Sequence, residues 1–547
     1  MIKKLFSGQI NSITIAALLV AITSLVSRLL GVFRDRILAG EFGAGDTLDI
    51  YYAAFRIPDL IFNLLILGAL SAGFIPILSC LIGNSNTECS NIFHRKRNKE
   101  AWEFVSIALN ILGIVILFLS VLGILFAPQL MSVVAPGYSG EKQALTVNLT
   151  RIMFLSPLFL GISSVLGGIL QSFKRFFLYS LSPVLYNVGI IIGVIYFVPI
   201  WGINGLAWGV VLGAFLHMVL QLPLVYSLGF RYVPKIDLKN KDIRKLGMMT
   251  IPRTLSLAIS QINLLVTTII ASTLASGSLA IFNFANNLQS LPIGVIGISF
   301  AVAAFPTLSA VAFDRKKLID NFSTTLRNIL FFIVPGTVLL LTLRSQITRV
   351  ILGSGSFDWT ATVLTIDTLG FFVISLFAQA SLPLLVRVFY ARHNSKTPFL
   401  IGIACAVLNV VLSYYFSNIF GVSGLALAFS ISSIFNFMLL WIALRAEIGE
   451  MDENRILISS AKFVMAAIAC GIAVQGGKSL TADFFGTATF LSVLAQGLFS
   501  GTIGIAVYTA FCSLLKSEEL FSFWNSIKRR LPWRKIETGD QGEARGI

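Results

Sequence analysis

The stretch INSITIAALLVAITSLVSRLLGVF, residues 10–33, holds one charged side chain, Arg28, in twenty-four positions. At about 1.5 Å per residue, such a run folded as an α-helix crosses the roughly 30 Å of hydrocarbon in a bilayer. It exceeds a typical signal-peptide apolar region and no A-x-A-like cleavage site follows, so it reads as a first membrane span. Similar apolar runs, bounded by charge, Pro or Gly, recur along all 547 residues. They predict fourteen spans, near 10–33, 47–82, 102–127, 146–170, 178–198, 204–228, 247–275, 278–312, 322–343, 362–386, 398–417, 421–444, 456–475 and 489–515. The fold class is therefore an all-α polytopic membrane protein. The second and eighth blocks are too long for straight spans. Pro58 and Pro76 lie in one, Pro292 and Pro306 in the other, so both read as bent or interrupted helices.

Composition excludes the soluble alternatives. Only 12% of residues are charged, against about 25% in ordinary soluble proteins, while 56% are apolar and the mean hydropathy is +0.86. The net charge of +16 does not point to nucleic acid, because Lys and Arg punctuate the chain between apolar blocks instead of forming one basic face. With a cytoplasmic N-terminus, the alternate loops on that side hold 29 Lys and Arg, and the opposite loops hold 6. That asymmetry supports fourteen crossings with both termini cytoplasmic.

Five cysteines without C-x-x-C spacing and three scattered histidines argue against a metal site or a disulfide framework. The string GGKS, Gly476–Ser479, lacks the first glycine of a phosphate-binding loop, since position 472 is Ile472. No catalytic motif is present and the loops are too short for a catalytic domain, so neither an enzyme nor a bound cofactor is expected. The segment EELFSFWNSIKRRLPWRK, residues 518–535, mixes Phe521, Trp524 and Trp533 with five basic residues. It suits an interfacial helix on anionic lipid, or simply a positive cytoplasmic tail.

Two pairs of segments repeat at an offset of about 220–230 residues. FIPILS (Phe74–Ser79) recurs as AFPTLS (Ala304–Ser309), and GINGLAWG (Gly202–Gly209) as GVSGLALA (Gly421–Ala428). Six spans separate the copies, an even number, so both halves share one orientation. The predicted organisation is an N-terminal six-helix lobe (1–228), a basic cytoplasmic linker (229–246), a parallel second lobe (247–444), two additional helices (456–515) and a basic tail (516–547). Two lobes about an axis along the membrane normal favour alternating access over a fixed pore.

A charge inside a span costs at least about 2.5–3.5 kcal/mol on insertion scales, so it calls for a partner, water or a ligand. The first two spans are dense in charge: Arg28, Arg34, Asp35, Arg36, Asp49, Arg56 and Asp59. Arg151 and Arg253 lie near span ends, Arg151 suiting an interface anchor. One reading is a cationic cavity for an anionic headgroup, since guanidinium forks match phosphate oxygens. The other is structural, with Arg28 paired to Asp49, or Arg56 to Asp59.

The residues SRLLGVFRDRILAGEFGAGDTLDIYYAAFRIPDL (Ser27–Leu60), GALSAGFIPILS (Gly68–Ser79), LPIGVIGISFAVAAFPTLS (Leu291–Ser309) and RVFYARHNSKTP (Arg387–Pro398) resemble the MurJ/MviN family. That family sits in the multidrug/oligosaccharidyl-lipid/polysaccharide exporter superfamily. The resemblance implies a flippase that moves lipid II, a polyprenyl-pyrophosphate-linked glycolipid, from the inner to the outer leaflet of the bacterial cytoplasmic membrane. It implies membrane lipids and wall-synthesis enzymes as partners, a monomer, and coupling to membrane potential or a monovalent cation. Arg28, Arg34 and Asp35 match the family's S-R-x-x-G-x-x-R-D, and Asp49 and Arg56 match positions in its next helix. With Arg253 as a replacement cation on span seven, these are the candidate substrate-binding residues. The chain departs from the family at Phe62 and Asn63, where some members carry two arginines, at Leu67 for a glutamate, at Asn287 for an arginine, and at Ser413 for an aspartate that helps some members hold sodium. Rival readings are a drug or polysaccharide-lipid exporter of the same superfamily, and a non-transporting scaffold for wall synthesis. Arg28→Ala or Arg253→Ala is expected to abolish rescue of flippase-depleted cells at normal membrane levels; full activity of both variants would remove them from the mechanism.

Overall fold

A computed structural model describes residues 13–67, 73–82, 94–486 and 489–530, without the side chains of 13–18, 67, 94–98, 252–253, 255–256, 483, 485 and 526–530. Among the described residues there is no strand. The main helices are α1 (Ile13–Phe42), α2 (Asp46–Phe62), α3 (Ile75–Leu81), α4 (His94–Leu125), α5 (Gly140–Met153), α6 (Ser156–Ser172), α7 (Phe176–Ile192), α8 (Asn204–Val219), α9 (Lys241–Ser272) and α10 (Ser278–Pro292). They continue as α11 (Ser299–Ala310), α12 (Arg315–Thr342), α13 (Trp359–Val373), α14 (Leu376–Ala391), α15 (Lys396–Phe420), α16 (Val422–Ile448), α17 (Glu453–Phe485), α18 (Phe490–Leu514) and α19 (Glu518–Arg530).

Ten helices among the described residues are long and apolar enough to cross a membrane, or eleven if the broken pair α13 and α14 makes one span. Helices α1, α2 and α9 stand where the first, second and seventh spans are predicted, and they carry more charge than a plain span. This is an all-α polytopic membrane protein. Both long blocks are interrupted, as their prolines predict. A π-helical turn, Asn63–Leu67, follows α2, and another, Ile293–Ile298, follows Pro292 at the end of α10. Such turns re-aim a helix by widening one turn of its hydrogen-bond ladder. A third, Gly193–Phe197, extends α7 and ends two residues before Pro199.

The repeated glycine segments adopt the same turn. Gly202 and Gly421 have φ of +59° and +58°, and each precedes a new helix, α8 and α16. In each copy the glycine three residues on, Gly205 or Gly424, packs so tightly on the preceding helix end that a Cβ would overlap backbone at Phe197 or Phe416. Only glycine fits either position without rearrangement.

The chain forms two compact units. Unit one comprises Met1–Leu291, Ile347–Ser375 and Lys396–Asn436; unit two comprises Pro292–Gln346, Leu376–Ser395 and Phe437–Ile547. Inside lipid, burying apolar side chains gives little drive for helices to associate, so close backbone approach and hydrogen bonds must supply it. In unit one, a Cβ on Gly189 would overlap the backbone of Gly213, and one on Gly193 that of Gly209, which locks α7 against α8. Hydroxyls join other helices, Thr368 to Ser423 at 3.1 Å and Ser375 to Ser430 at 2.9 Å. In unit two the Tyr508 hydroxyl on α18 donates to the Phe331 carbonyl on α12 at 2.8 Å.

Arg327 on α12, almost fully buried, pairs with Glu519 and, at 3.2 Å, with Glu518 of α19. Outside the spans, the hydrogen bond from Arg455, together with Arg327, holds the Glu518 carboxyl below its ordinary range. Cys80 is disulfide-bonded, a single bond and not the disulfide framework that the cysteine spacing argued against. Cys405, Cys470 and Cys512 are free and buried.

Gly189→Val is expected to be destabilising by about 1–3 kcal/mol because it overpacks a backbone contact. Gly336→Ala, with nothing within 4 Å of its added methyl, should be close to neutral. Thermal unfolding of the purified proteins in detergent distinguishes them; equal midpoints would contradict the close α7–α8 approach.

Candidate functional site

Two cavities differ in chemistry. Unit two has an apolar groove of about 710 Å³ between α12, α16 and α17, with Val334, Trp441 and Val464 on its walls and Glu453 the one charged residue among the described residues that line it. It offers no cation to a phosphorylated headgroup. Unit one has a smaller polar cavity of about 180 Å³. Arg34 and Leu38 of α1 line it, one turn apart. From α2 come Tyr51, Phe55 and Asp59, spaced i, i+4, i+8, beside Tyr52 and Arg56, also four apart. Helical periodicity places those five on one face. Tyr186 and Ile190 of α7 and Asn283 and Asn287 of α10 complete the wall.

The charges in this cavity are tied. Arg34 donates through Nε and Nη2 to Asp35 Oδ1 at 3.1 and 2.7 Å, and through Nη1 to Asn187 Oδ1 at 3.0 Å. Asp35, nearly fully buried, accepts at its other oxygen from Asn287 Nδ2 at 2.8 Å. Arg56 Nε donates to Thr268 Oγ1 at 2.8 Å. Asp59, which Asn63 hydrogen-bonds, lies near enough to interact with the Arg56 charge. The buried Tyr52 hydroxyl has no hydrogen-bond partner. Two guanidiniums and two carboxylates balance formally, so the space is polar and charge-paired instead of purely cationic. Such an arrangement can accept an anion where a phosphate oxygen replaces a carboxylate or meets a spare N–H of the guanidinium forks.

The six residues singled out from sequence part company. Arg34 and Arg56 line this cavity, and Asp35, which does not line it, is tied to its wall through Arg34 and Asn287. Arg28 is half-buried, does not line it, and makes no hydrogen bond or ion pair among the described residues. The Arg253 side chain lies outside the described residues. Asp49 serves elsewhere. Fully buried, it accepts from the backbone N–H of Gly277 at 2.8 Å and of Ala280 at 3.0 Å, at the start of α10, with Lys142 Nζ 3.5 Å away. A carboxylate there satisfies orphan donors and complements the helix dipole. Arg36 donates to backbone carbonyls of Val350 and Ile351. The Arg28–Asp49 pair is therefore absent, while Arg56 and Asp59 do share a face.

Around Asp49, one end of unit one is closed. Asp46 accepts from Lys142 at 2.5 Å and from Ser276 at 2.6 Å. Ser356 N–H donates to the Gly40 carbonyl at 2.8 Å. Gly43, at φ +65°, lies so near the Ser356 carbonyl that a Cβ would stand 2.6 Å from its oxygen. Gly137 and Gly277 approach the Ser272 and Ala44 backbones as closely.

The sequence profile described as "Lipid II flippase MurJ" matches residues 38–496. The chain belongs to the MurJ family. A relative named "Probable lipid II flippase MurJ" from Buchnera aphidicola subsp. Schizaphis graminum is 32% identical over 434 residues, covering 77% of this chain and 81% of the relative. "Lipid II flippase MurJ" of Burkholderia cenocepacia is 29% identical over 443 residues, covering 79% and 83%. Among solved structures, "Lipid II flippase MurJ, inward closed conformation" superposes with a TM-score of 0.75 at 26% identity, covering 94% of this chain and all of that one. An inward-facing multidrug resistance MATE transporter of the MOP superfamily shares the fold, with a TM-score of 0.63 at 18% identity over 79% of this chain and 99% of its own.

The departures from the MurJ pattern have visible consequences. Asn287 lines the polar cavity and donates to Asp35, so the carboxylate has a neutral partner there. Phe62 packs into an apolar cluster. The Leu67 side chain lies outside the described residues. Asn409 donates to Asn263 at 2.8 Å, and the buried Asn409 Oδ1 and Ser413 Oγ have no partner. These oxygens are neutral, so a sodium site drawn from Asn409 and Ser413 lacks the carboxylate of the family pattern.

Asn187, Thr268, Tyr52, Tyr186 and Asn283 were not singled out from sequence. A scan for charge passes over neutral polar residues, yet an amide in the middle of an apolar span is the signal that finds Asn187. Asp49→Ala removes two charge-assisted acceptors at α10. It is expected to cost about 1.5–3 kcal/mol in stability, with Asp49→Asn retaining part of it. Unfolding midpoints in detergent check this, and an unchanged midpoint for Asp49→Ala would refute the capping role.

Proposed function

We propose that this protein flips lipid II, a polyprenyl-pyrophosphate-linked peptidoglycan precursor, from the inner to the outer leaflet of a bacterial cytoplasmic membrane. Membership of the MurJ family carries this reading, and the Arg34 and Arg56 cavity supplies a chemistry suited to it. A diphosphate presents several acceptor oxygens, and guanidinium forks bind them bidentately. A cavity of about 180 Å³ holds a headgroup fragment, not a whole glycolipid, so the sugars and peptide extend beyond it and the prenyl chain stays in lipid.

In the resting arrangement Asp35 and Asn187 hold the Arg34 guanidinium and Thr268 holds that of Arg56, with Asp59 near enough to balance its charge. An arriving diphosphate competes for those N–H groups. The carboxylates thereby keep the cations solvated by protein between cycles and lower the penalty of carrying them in a span. The closed end around Asp46, Asp49 and Gly277 fits an extracytoplasmic seal. Both termini and the basic loops then face the cytoplasm, and two lobes alternate access as a monomer.

An inside-negative potential favours outward movement of an anion by about 2.3 kcal/mol per charge per 100 mV. The membrane potential therefore acts in the right direction without a bound ion, and the neutral Asn409 and Ser413 oxygens make it a better drive here than a cation gradient.

The test is the accessibility of lipid II to an outside probe in cells depleted of their own flippase and supplied with this protein. Accessible lipid II is expected with the unaltered chain, and at least about tenfold less with Arg34→Lys, which keeps the charge but loses the fork. Absence of accessible lipid II with the unaltered protein at normal membrane levels would reject the function; full activity of Arg34→Lys would reject the fork.

A further inference from the structure

Helix α19 begins only four residues after the membrane helix α18 ends at Leu514. Even fully extended, that link reaches at most about 14 Å, so α19 starts close to the end of a membrane helix. Its start is rooted in protein. Glu519, nearly fully buried, pairs with Arg327 and accepts from Ser459 at 3.0 Å and Ser517 at 2.8 Å, while Glu518 pairs with Arg455 at 2.8 Å.

Beyond that root Phe521, Phe523 and Trp524 are exposed, and one edge of Phe523 lies against Phe332 at 5.2 Å between ring centres. Lys528, Arg529 and Arg530 close the helix, and Arg534 and Lys535 follow in sequence. Exposed aromatics followed in sequence by a run of cations, on a helix that starts this close to a span, have the chemistry that suits an anionic phospholipid surface, with rings at the acyl boundary and cations on phosphates.

We propose that α19 is a docking element for anionic phospholipid, anchored to the protein by the Arg327–Glu519 pair and laid into the headgroup region by its aromatic and basic residues. Bound lipid orders the helix from its exposed side while Arg327 holds it from within. This inference is independent of what the protein transports.

The experiment follows backbone hydrogen exchange of residues 518–530 in the full-length protein in two nanodiscs, one of phosphatidylcholine alone and one with about a third phosphatidylglycerol. Each basic side chain near an anionic surface is worth roughly fivefold in partitioning, so exchange should slow by about tenfold or more in the anionic disc. The triple variant Lys528→Glu, Arg529→Glu, Arg530→Glu should lose that dependence. Phe521→Ser with Trp524→Ser should exchange faster in both discs. Equal exchange of the unaltered helix in the two discs overturns the proposal: fast in both would leave the face to a protein partner, and slow in both would mean the protein alone orders it. A charge-reversed variant that still responds to phosphatidylglycerol overturns it equally.

Discussion

Everything in unit one follows from the difficulty of keeping charge inside hydrocarbon. Arg34, Asp35, Arg56 and Asp59 lie on helices otherwise built to meet lipid, and none is left alone. Arg34 spends three N–H groups on Asp35 and Asn187, and Asp35 uses its second oxygen on Asn287. Removing one member of such a set strands the other in a low dielectric, a loss of about 3–5 kcal/mol for a buried pair. The same constraint makes the cavity responsive, because a group already held by a replaceable partner can be transferred to a ligand without ever being bare.

Asp49 shows that a charge in a span need not serve a substrate. Its two backbone hydrogen bonds fix the start of α10, and α10 in turn carries Asn283 and Asn287 to the cavity wall. Closure at one end and the geometry of the polar site are thus joined by one helix. The close glycine contacts at Gly43, Gly137 and Gly277 allow loops to meet there with little side-chain bulk between them.

Much of this was legible in the sequence. Apolar run lengths define the helices, and the prolines of the two long blocks mark π-helical turns. Repeated glycines mark the matching turns at Gly202 and Gly421 because positive φ demands them. Of the site, Arg34, Asp35 and Arg56 could be read as charges in improbable places. Their partners could not, since Asn187, Thr268 and Asn287 carry no charge and come from helices remote in sequence. Asp49 and Arg28 looked alike to Asp35 and Arg34 for the same reason: cost of burial is local, whereas choice of partner is set by packing. Arg327 was equally visible as a charge within a span, but its acidic partners lie more than 190 residues away on α19.

The central claim is that the guanidiniums of Arg34 and Arg56 pass from their protein partners, Asp35 and Thr268, to the diphosphate of a lipid-linked substrate. Solid-state NMR between ¹⁵N-labelled arginine and the ³¹P nuclei of bound lipid II, in reconstituted protein, reads that contact directly. The account predicts nitrogen–phosphorus dipolar coupling at hydrogen-bonding range that disappears when both arginines are replaced by lysine. Bound lipid II without arginine coupling, or coupling that survives the double replacement, would contradict it.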